Sequence, residues 1–329
     1  GETVLMTAAR TGVRGVVSAL ITHGADVNAK ERKGQTAIMW AASAGSAEAV
    51  GELIKAGADF YTPLRSGFTP MLFAARDGRT NVVRRLLDAG VDVNEEMHPE
   101  RRGGKGPSEG TSALILAVEN GHFELAEVLL EAGADANDGR SGSTPLHAIT
   151  WVRKPIRGDG DPPPIGSGKT SSLDLVRSLV AAGADVNARH GTHRPNNSSL
   201  NRTDATPFLL ACETGDIPLI RLLLELGADP TLPNADHVTP LLAAAGVGVL
   251  SNGDETAGTE EEAIETIQLL LDLGADINAV DDEGKTAMHG AAFKSWTKVV
   301  QFLADHGADV QIWNQKNKRG WTPLLIAQG

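Results

Sequence analysis

The apolar residues of the chain fall in short stripes with helical spacing, separated by turns that contain glycine. One such stripe, at i, i+3 and i+4 spacing, is formed by Val82, Val83, Leu86 and Leu87. Gly90 follows this stripe and is expected to end its helix. A shorter helix is predicted before it. This helix begins at Thr69-Pro70, and the small side chains of Ala74 and Ala75 let it pack closely against its neighbours. Neither helix can bury its stripe alone, so neighbouring pairs must stack.

This helix–turn–helix pattern recurs along nearly the whole chain. One anchor, Gly-Ala-Asp or Gly-Val-Asp, begins at Gly24, Gly57, Gly90, Gly133, Gly183, Gly227, Gly274 and Gly307. A second anchor, Thr-Pro-Leu-His or a degraded form of it, begins at Thr3, Thr36, Thr69, Ser112, Thr144, Thr206, Thr239, Thr286 and Thr322. The first anchor follows the second by 21 residues in six of the eight complete units. A fixed period of this kind indicates an array of repeats.

The repeating unit resembles the ankyrin repeat. The resemblance is carried by the Thr-Pro-Leu-His opening, the alanine pair, the Val-Val and Leu-Leu stripe, and Gly-Ala-Asp-Val-Asn-Ala, which is intact at residues 24–29 and 183–188. It implies L-shaped units of two antiparallel helices with a projecting β-hairpin, stacked so that hairpins and inner helices form a concave face. We therefore expect an all-α ankyrin-repeat solenoid of helix–turn–helix units with β-hairpin loops. Eight repeats are complete, and a ninth begins at Thr322 without a second helix, which suggests that the natural protein continues.

We expect residues 1–329 to form a single ankyrin-repeat domain that carries four insertions. They lie at about 95–110, 151–170, 189–204 and 246–259, and their Gly, Pro, Ser, Asn and charged residues predict loops. After the two insertions that separate paired helices, Ser171 with Asp174 and Thr259 with Glu262 have capping-box spacing. Long loops on a rigid scaffold often carry function, and tolerated drift is the alternative.

The charge balance restricts the partners. The formal net charge of −12 argues against a nucleic-acid binder, which needs a basic face. No apolar run approaches the ~20 residues that span a bilayer. We expect a protein partner, no membrane insertion and a monomer. The single cysteine and the start at Gly1 leave cytoplasmic and exported locations open. The long insertions also resemble those of ankyrin arrays from environmental bacteria.

Candidate catalytic and metal-binding motifs are weak. Gly168-Lys169-Thr170 resembles the end of a phosphate-binding loop, but Pro163 occupies the position of its first glycine and lacks an N–H. His190 and His193 share one insertion, whereas a metal site needs about four ligands. We therefore assign no catalytic residue, metal or cofactor, and we do not expect an enzyme.

In the ankyrin family, contacts come mainly from hairpin tips and from the inner-helix positions that follow the alanine pair. These positions vary between units of this chain while the core positions do not, which favours a protein-binding scaffold or adaptor. The candidate binding residues are Trp151, Val152, Val247, Phe293, Lys294, Trp313, Trp321, Arg76 and Asp77. Exposed tryptophans are typical interface anchors, so we expect the main contact surface in the C-terminal half, rimmed by the loops at 151–170 and 246–259. Two alternatives stay open. The loops could cover Trp151 and Val247 as a local core, or they could form an enzyme or small-ligand site.

Overall fold

The computed structural model describes residues 1–100, 108–155, 168–191, 200–248 and 258–328. Its helices are, in chain order, α1 (Val4–Thr11), α2 (Arg14–Thr22), α3 (Ala37–Ala44), α4 (Ala47–Lys55), α5 (Pro70–Arg76), α6 (Thr80–Asp88), α7 (Ala113–Glu119), α8 (Phe123–Glu131), α9 (Pro145–Arg153), α10 (Ser172–Ala181), α11 (Pro207–Thr214), α12 (Ile217–Glu225), α13 (Pro240–Ala244), α14 (Glu260–Asp272), α15 (Ala287–Phe293), α16 (Thr297–Asp305), α17 (Val310–Trp313) and α18 (Pro323–Gln328). The helical-repeat fold class is confirmed.

The expected hairpin loops are tight turns. In the first of them, the N–H of Gly34 donates to the carbonyl of Glu31, and the N–H of Glu31 donates to the carbonyl of Gln35. Across the described ranges, the only β-type pairing is one isolated antiparallel bridge between Glu96 and Ser112.

The chain forms two compact units. The first unit comprises Gly1–Ser141 and Ile165–Ala182, and the second comprises Gly142–Pro164 and Gly183–Gly329. In the first unit, the first helices of successive repeats pack in the order α1, α3, α5 and α7, and the second helices α2, α4 and α6 pack beside them. In the second unit, α9, α11, α13, α15 and α18 form one row, and α12, α14 and α16 form the other. A single domain over 1–329 stays a prediction.

Helix starts are fixed by hydroxyl side chains of the anchor. The Oγ1 of Thr69 accepts a hydrogen bond from the N–H of Leu72, and that of Thr206 accepts from Leu209. Each such cap stabilises its helix by about 0.5–2 kcal/mol. The capping boxes predicted after the insertions, at Ser171 and Thr259, are confirmed.

The second helices bury the same two positions in every repeat that has neighbours within its unit. The residue seven places before the turn glycine is fully buried at Val17, Val50, Val83, Ala126, Ile220 and Ile267. The residue before it is buried at Ala49, Val82, Leu125, Leu175, Thr266 and Val299. At the start of the array this second position is Val16, which is 47% exposed. The earlier residue of each pair therefore packs on the preceding repeat, and the later residue is covered by the following one.

In several repeats an asparagine in the turn clamps the repeat to the next one. The Nδ2 of Asn94 donates to the carbonyl of Gly133 over 3.4 Å, and its Oδ1 accepts from the N–H of Asp135 over 2.8 Å. Equivalent pairs of bonds are made by Asn28, Asn187 and Asn278. One side chain thus satisfies a donor and an acceptor of the following turn, which secondary structure leaves unpaired.

In the sixth repeat the clamp position is Thr231. Its Oγ1 donates to Asp229 of its own turn over 2.7 Å. A cavity of about 210 Å³ lies beside it, bordered by Thr231, Gly274 and Asp276. The hydroxyl is too short to replace both bonds of an asparagine, so this step between repeats is less firmly tied.

Replacing Thr231 by Asn is expected to restore the clamp and stabilise the second unit by about 1 kcal/mol, the net value of a typical hydrogen bond. Urea unfolding should show a raised midpoint. Thr231→Asp is the matched control, because it has the acceptor but no amide donor. An unchanged or lowered midpoint for Thr231→Asn would contradict the clamp.

His147 is fully buried in a fixed neutral tautomer. Its Nε2–H donates to the carbonyl of Ala205 over 3.0 Å, and its Nδ1 accepts from the N–H of Thr144 over 3.2 Å. Burial lowers the pKa of His147 to about 3, and the nearby charges of His190 and Arg202 also lower it. Because the unfolded chain binds a proton near pH 6.5, the stability that this group contributes is present above that pH and is lost as the pH falls toward 3.

The stability advantage of the natural chain over His147→Gln should therefore shrink by about 2–3 kcal/mol between pH 7 and pH 4.5. Glutamine keeps a donor for Ala205 and does not titrate. Denaturant unfolding of both chains at the two pH values measures the change. A constant difference would mean that His147 does not stay neutral in the fold.

Candidate functional site

In most first helices the residue that follows the alanine pair, or its equivalent, lies in the last turn. In α9 this residue is Trp151, which is half-buried. The guanidinium carbon of Arg202 lies 5.3 Å from the centre of a Trp151 ring, which is a cation–π distance. Arg202 belongs to the insertion at 189–204. Part of this insertion therefore covers Trp151. Coverage of Trp151 by an inserted loop is one of the alternatives that the sequence leaves open.

The end of this insertion is anchored within the second unit. Arg189 donates through Nη1 to the carbonyls of Asp204 and Pro233, over 2.7 and 2.6 Å. The amide of Asn201 donates to Asp236 over 3.0 Å. These bonds hold the backbone on either side of Arg202 and so fix where its side chain starts.

Glu213 occupies the equivalent position of α11, after Ala211-Cys212. Burial raises the pKa of its carboxyl, while the positive charges of Arg202 and Lys294 lower it. Its Oε2 is covered, and no described residue donates a hydrogen bond to it. A covered carboxylate oxygen without a donor is costly, so Glu213 would gain from an added donor.

In α15 the corresponding place is held by Phe293, and Lys294 follows it directly as the residue that caps the end of the helix. Burial lowers the pKa of its ammonium to about 8, although the charge of Glu213 opposes that change. Its Nζ lies 4.7 Å from the centre of the Trp296 ring. Trp151, Arg202, Glu213 and Lys294, which we call the Trp151 cluster, thus combine an aromatic face, two cations and one carboxylate.

The remaining predicted aromatic residues lie beyond this cluster. Phe293 is 8% exposed and packs with Ala292 and Ile326. Its ring centre lies 6.1 Å from that of Trp321, which is 42% exposed. Trp313, in α17, is half-buried and borders an apolar groove. Of these three, Trp321 offers the largest free surface.

Three predicted contact residues are core residues. Val152 is 4%, Val247 is 2% and Phe293 is 8% exposed, so none of them presents a surface to a partner, and all three are removed from the candidate site. Leu200, from the insertion at 189–204, lies against the backbone of Gly248 and is itself buried. The predicted rim loops fall largely at 156–167 and 249–257, outside the described residues.

In the first unit, the side chains of Arg76 and Asp77 are paired with each other. Their side chains form an ion pair of 2.8 Å, and Ser43 donates to Asp77 over 2.5 Å. The guanidinium of Arg76 also lies 5.1 Å from the rings of Phe68 and Phe73. This network already occupies the groups that a partner would bind.

Two residues of the Trp151 cluster were absent from the predicted set. The sequence does indicate Glu213 as a candidate, because it is the lone carboxylate in the apolar run Pro207–Thr214 and holds a repeat position that the family uses for contacts. Nothing in the sequence indicates Arg202, because its approach to Trp151 depends on the path of an insertion that has no periodic pattern.

Other chemistry finds little support in the described residues. The N–H of Lys169 donates to Glu124 and the hydroxyl of Thr170 donates to Glu127, so carboxylates occupy the donors that a phosphate would need. Burial raises the pKa of the Cys212 thiol and keeps it protonated. No cluster of metal-ligating side chains occurs in these ranges, and His193 lies outside them. Nor does any described helix have the length and apolarity to cross a bilayer.

Comparison with known proteins identifies the class. A family model described as "Ankyrin repeats (3 copies)" matches residues 5–97, 96–153 and 257–329, and an "Ankyrin repeat" model matches residues 203–235. These matches cover more than half of the chain, which therefore belongs to the ankyrin-repeat family. Members of this family are generally protein–protein interaction modules, and no enzymatic domain is matched.

The chain is similar to parts of longer proteins. Human ankyrin repeat and SOCS box protein 6 is 32% identical over 182 residues, which are 54% of this chain and 35% of that protein. A putative ankyrin repeat protein of fowlpox virus is 31% identical over 33% of this chain and 29% of its own length. An ankyrin repeat and KH domain-containing protein of Caenorhabditis briggsae is 30% identical over 64% of this chain and 8% of its own length. This chain thus spans about a third or less of these relatives. They are eukaryotic and viral and give no support to the expected bacterial type.

The lowered pKa of Lys294 predicts unusual reactivity. At pH 7.5 a larger neutral fraction should make Lys294 react faster with an acylating reagent than Lys298, whose pKa is raised by the side chain of Glu261. Glu213→Gln removes the charge that holds the pKa of Lys294 up and should increase its rate further. Peptide mapping by mass spectrometry measures both rates. A slower Lys294 in the Glu213→Gln chain would contradict the proximity of these two groups.

Proposed function

We propose that this chain is a protein-binding adaptor module whose contact surface is the first-helix side of the second unit, centred on the Trp151 cluster. The observation that carries the proposal is the covered Oε2 of Glu213, which receives no hydrogen bond from a described residue. Glu213 lies near the cations Arg202 and Lys294, and Arg202 in turn lies over the ring of Trp151. A partner that donates an N–H to this oxygen removes a desolvation cost of about 1–3 kcal/mol.

The arrangement supports a macromolecular partner. Trp151, half-buried, and the Arg202 guanidinium that lies over its ring together supply an aromatic group and a cation. Trp321 and the half-buried Lys294 extend the same surface toward the last repeats. Interfaces concentrate their binding energy in such aromatic and arginine groups, surrounded by contacts that exclude water.

The alternative of an enzyme or small-ligand site in the insertions gains no supporting observation, because much of those segments lies outside the described residues. One relative is named for a SOCS box, and another is named as an E3 ubiquitin-protein ligase. We propose that this chain binds a protein partner and acts as the recognition module of a larger assembly. A monomeric state and the absence of nucleic-acid binding stay predictions.

Selection from a displayed peptide library against the folded chain tests this function. For a selected peptide, we expect Trp151→Ala, Glu213→Gln and Lys294→Met each to weaken binding about tenfold or more, equivalent to roughly 1.4 kcal/mol. Thermal unfolding of each variant checks that the fold is intact.

Arg76→Ala and Asp77→Ala are the matched changes in the first unit. We expect both to leave affinity unchanged, because their side chains are already bonded to each other. If these two abolish binding while the second-unit variants retain it, the surface is misplaced. If no peptide is selected, the binding function itself fails.

A further inference from the structure

Four turns of this fold hold a primary carboxamide between the same two backbone groups. The Nδ2 of the preceding asparagine donates to the carbonyl of the turn glycine over 3.1–3.4 Å, and its Oδ1 accepts from the N–H two residues later over 2.7–2.8 Å. The paired residues are Gly57 with Asp59, Gly133 with Asp135, Gly227 with Asp229, and Gly307 with Asp309. This carbonyl and this N–H together match a carboxamide, which carries one donor and one acceptor side by side.

The turn at Gly274 presents the same two backbone groups, but Thr231 holds the place of the asparagine. Within the described part of the chain, no residue donates to the carbonyl of Gly274, and none accepts from the N–H of Asp276. The hydroxyl of Thr231 donates instead to Asp229 over 2.7 Å. Backbone groups of folded proteins are nearly always paired, so these two are ready to bind a matching group from outside the chain.

A cavity of about 210 Å³ lies beside these two groups and is bordered by Gly274 and Asp276. Pro240, Leu241 and Leu270 supply apolar walls, and all three are buried. The volume is below the range of about 300–1,000 Å³ that is usual for ligand pockets. The cavity therefore suits a single side chain or a similarly small molecule, and is too small for a nucleotide or a large cofactor.

We propose that the turn at Gly274 binds a primary carboxamide, carried by an asparagine or glutamine side chain of a partner or by a small free amide. The amide nitrogen donates to the carbonyl of Gly274, the amide oxygen accepts from the N–H of Asp276, and the apolar body lies in the cavity. A carboxylate has no donor for the carbonyl and would meet the charge of Asp229. An ammonium group has no acceptor for the N–H.

Titration of the intact, isotope-labelled chain with propionamide, followed by NMR, tests this site. The backbone amide signal of Asp276 should move saturably, with a dissociation constant on the order of 1–10 mM for so small a ligand. The signals of Asp229 and Asp309 should stay in place, because Asn187 and Asn278 already accept from their N–H groups. N,N-Dimethylpropionamide keeps the acceptor and lacks the donor, and it should bind about fivefold more weakly, the effect of one hydrogen bond.

Two variants at one position provide the matched controls. Thr231→Asn places the chain's own carboxamide between the two backbone groups and should abolish the response of Asp276 to propionamide. Thr231→Ala supplies no carboxamide and should retain that response. Thermal unfolding checks that both variants are folded. No saturable response in the natural chain, an unchanged response in Thr231→Asn, or equal affinity for the two amides overturns the proposal.

A second probe distinguishes the source of the carboxamide. N-Acetylglutamine N-methylamide carries the group on a side chain between two peptide bonds. Binding of this probe at least as tight as that of propionamide supports a side chain of a partner, whereas a response to propionamide alone supports a free amide. Trp151→Ala should leave both responses unchanged, because the Trp151 cluster shares no residue with this cavity. Failure of the carboxamide site is therefore distinguishable from failure of the adaptor surface.

Discussion

The structure depends on one constraint, which is that no helix pair in this chain can cover its own apolar stripe. Val83 and its counterparts reach full burial only when the next second helix packs on them, and Val82 and its counterparts need the helix before. Each fully buried valine or leucine contributes roughly 1.5–3 kcal/mol, so a repeat gains stability mainly from its neighbours. Stability is therefore approximately a sum over interfaces between adjacent repeats.

The same constraint leaves the ends of the first helices free to vary. The alanine pairs, such as Ala41-Ala42 and Ala74-Ala75, are fully buried and let the first helices approach closely. Side chains one or two positions later lie at the edge of that contact, where identity matters little for packing. In the second unit this edge holds an aromatic ring and charged groups partly withdrawn from water, which raises the pKa of Glu213 and lowers that of Lys294. Charges held in this way are destabilising unless they are paired, and a binding surface is a physical reason for keeping them.

The sequence alone predicts features that depend on local chemistry. The repeat boundaries, the helix caps at Ser171 and Thr259, and the buried stripes follow from side chains within a few residues of one another. Exposure at the site depends instead on contacts distant in sequence. Val247 has the pattern of a surface position, yet it is buried, and Leu200 from another insertion lies against the adjacent Gly248. Arg202 reaches Trp151 through a segment with no periodicity, so no pattern places it there.

The asparagine clamps also have a consequence for local opening within each unit. At Asn28, Asn94, Asn187 and Asn278 one side chain ties two turns together, while Thr231 and the exposed Tyr61 occupy the same place elsewhere. Proteins open locally where few bonds must break, in contiguous cooperative segments. We therefore expect the contacts between repeats at Tyr61 and Thr231 to open more easily than the contacts that an asparagine holds. Amide protons there should exchange with solvent through small openings, whereas clamped turns exchange only with larger ones. The residue type at one fixed position of the repeat is thus expected to set where each unit opens locally.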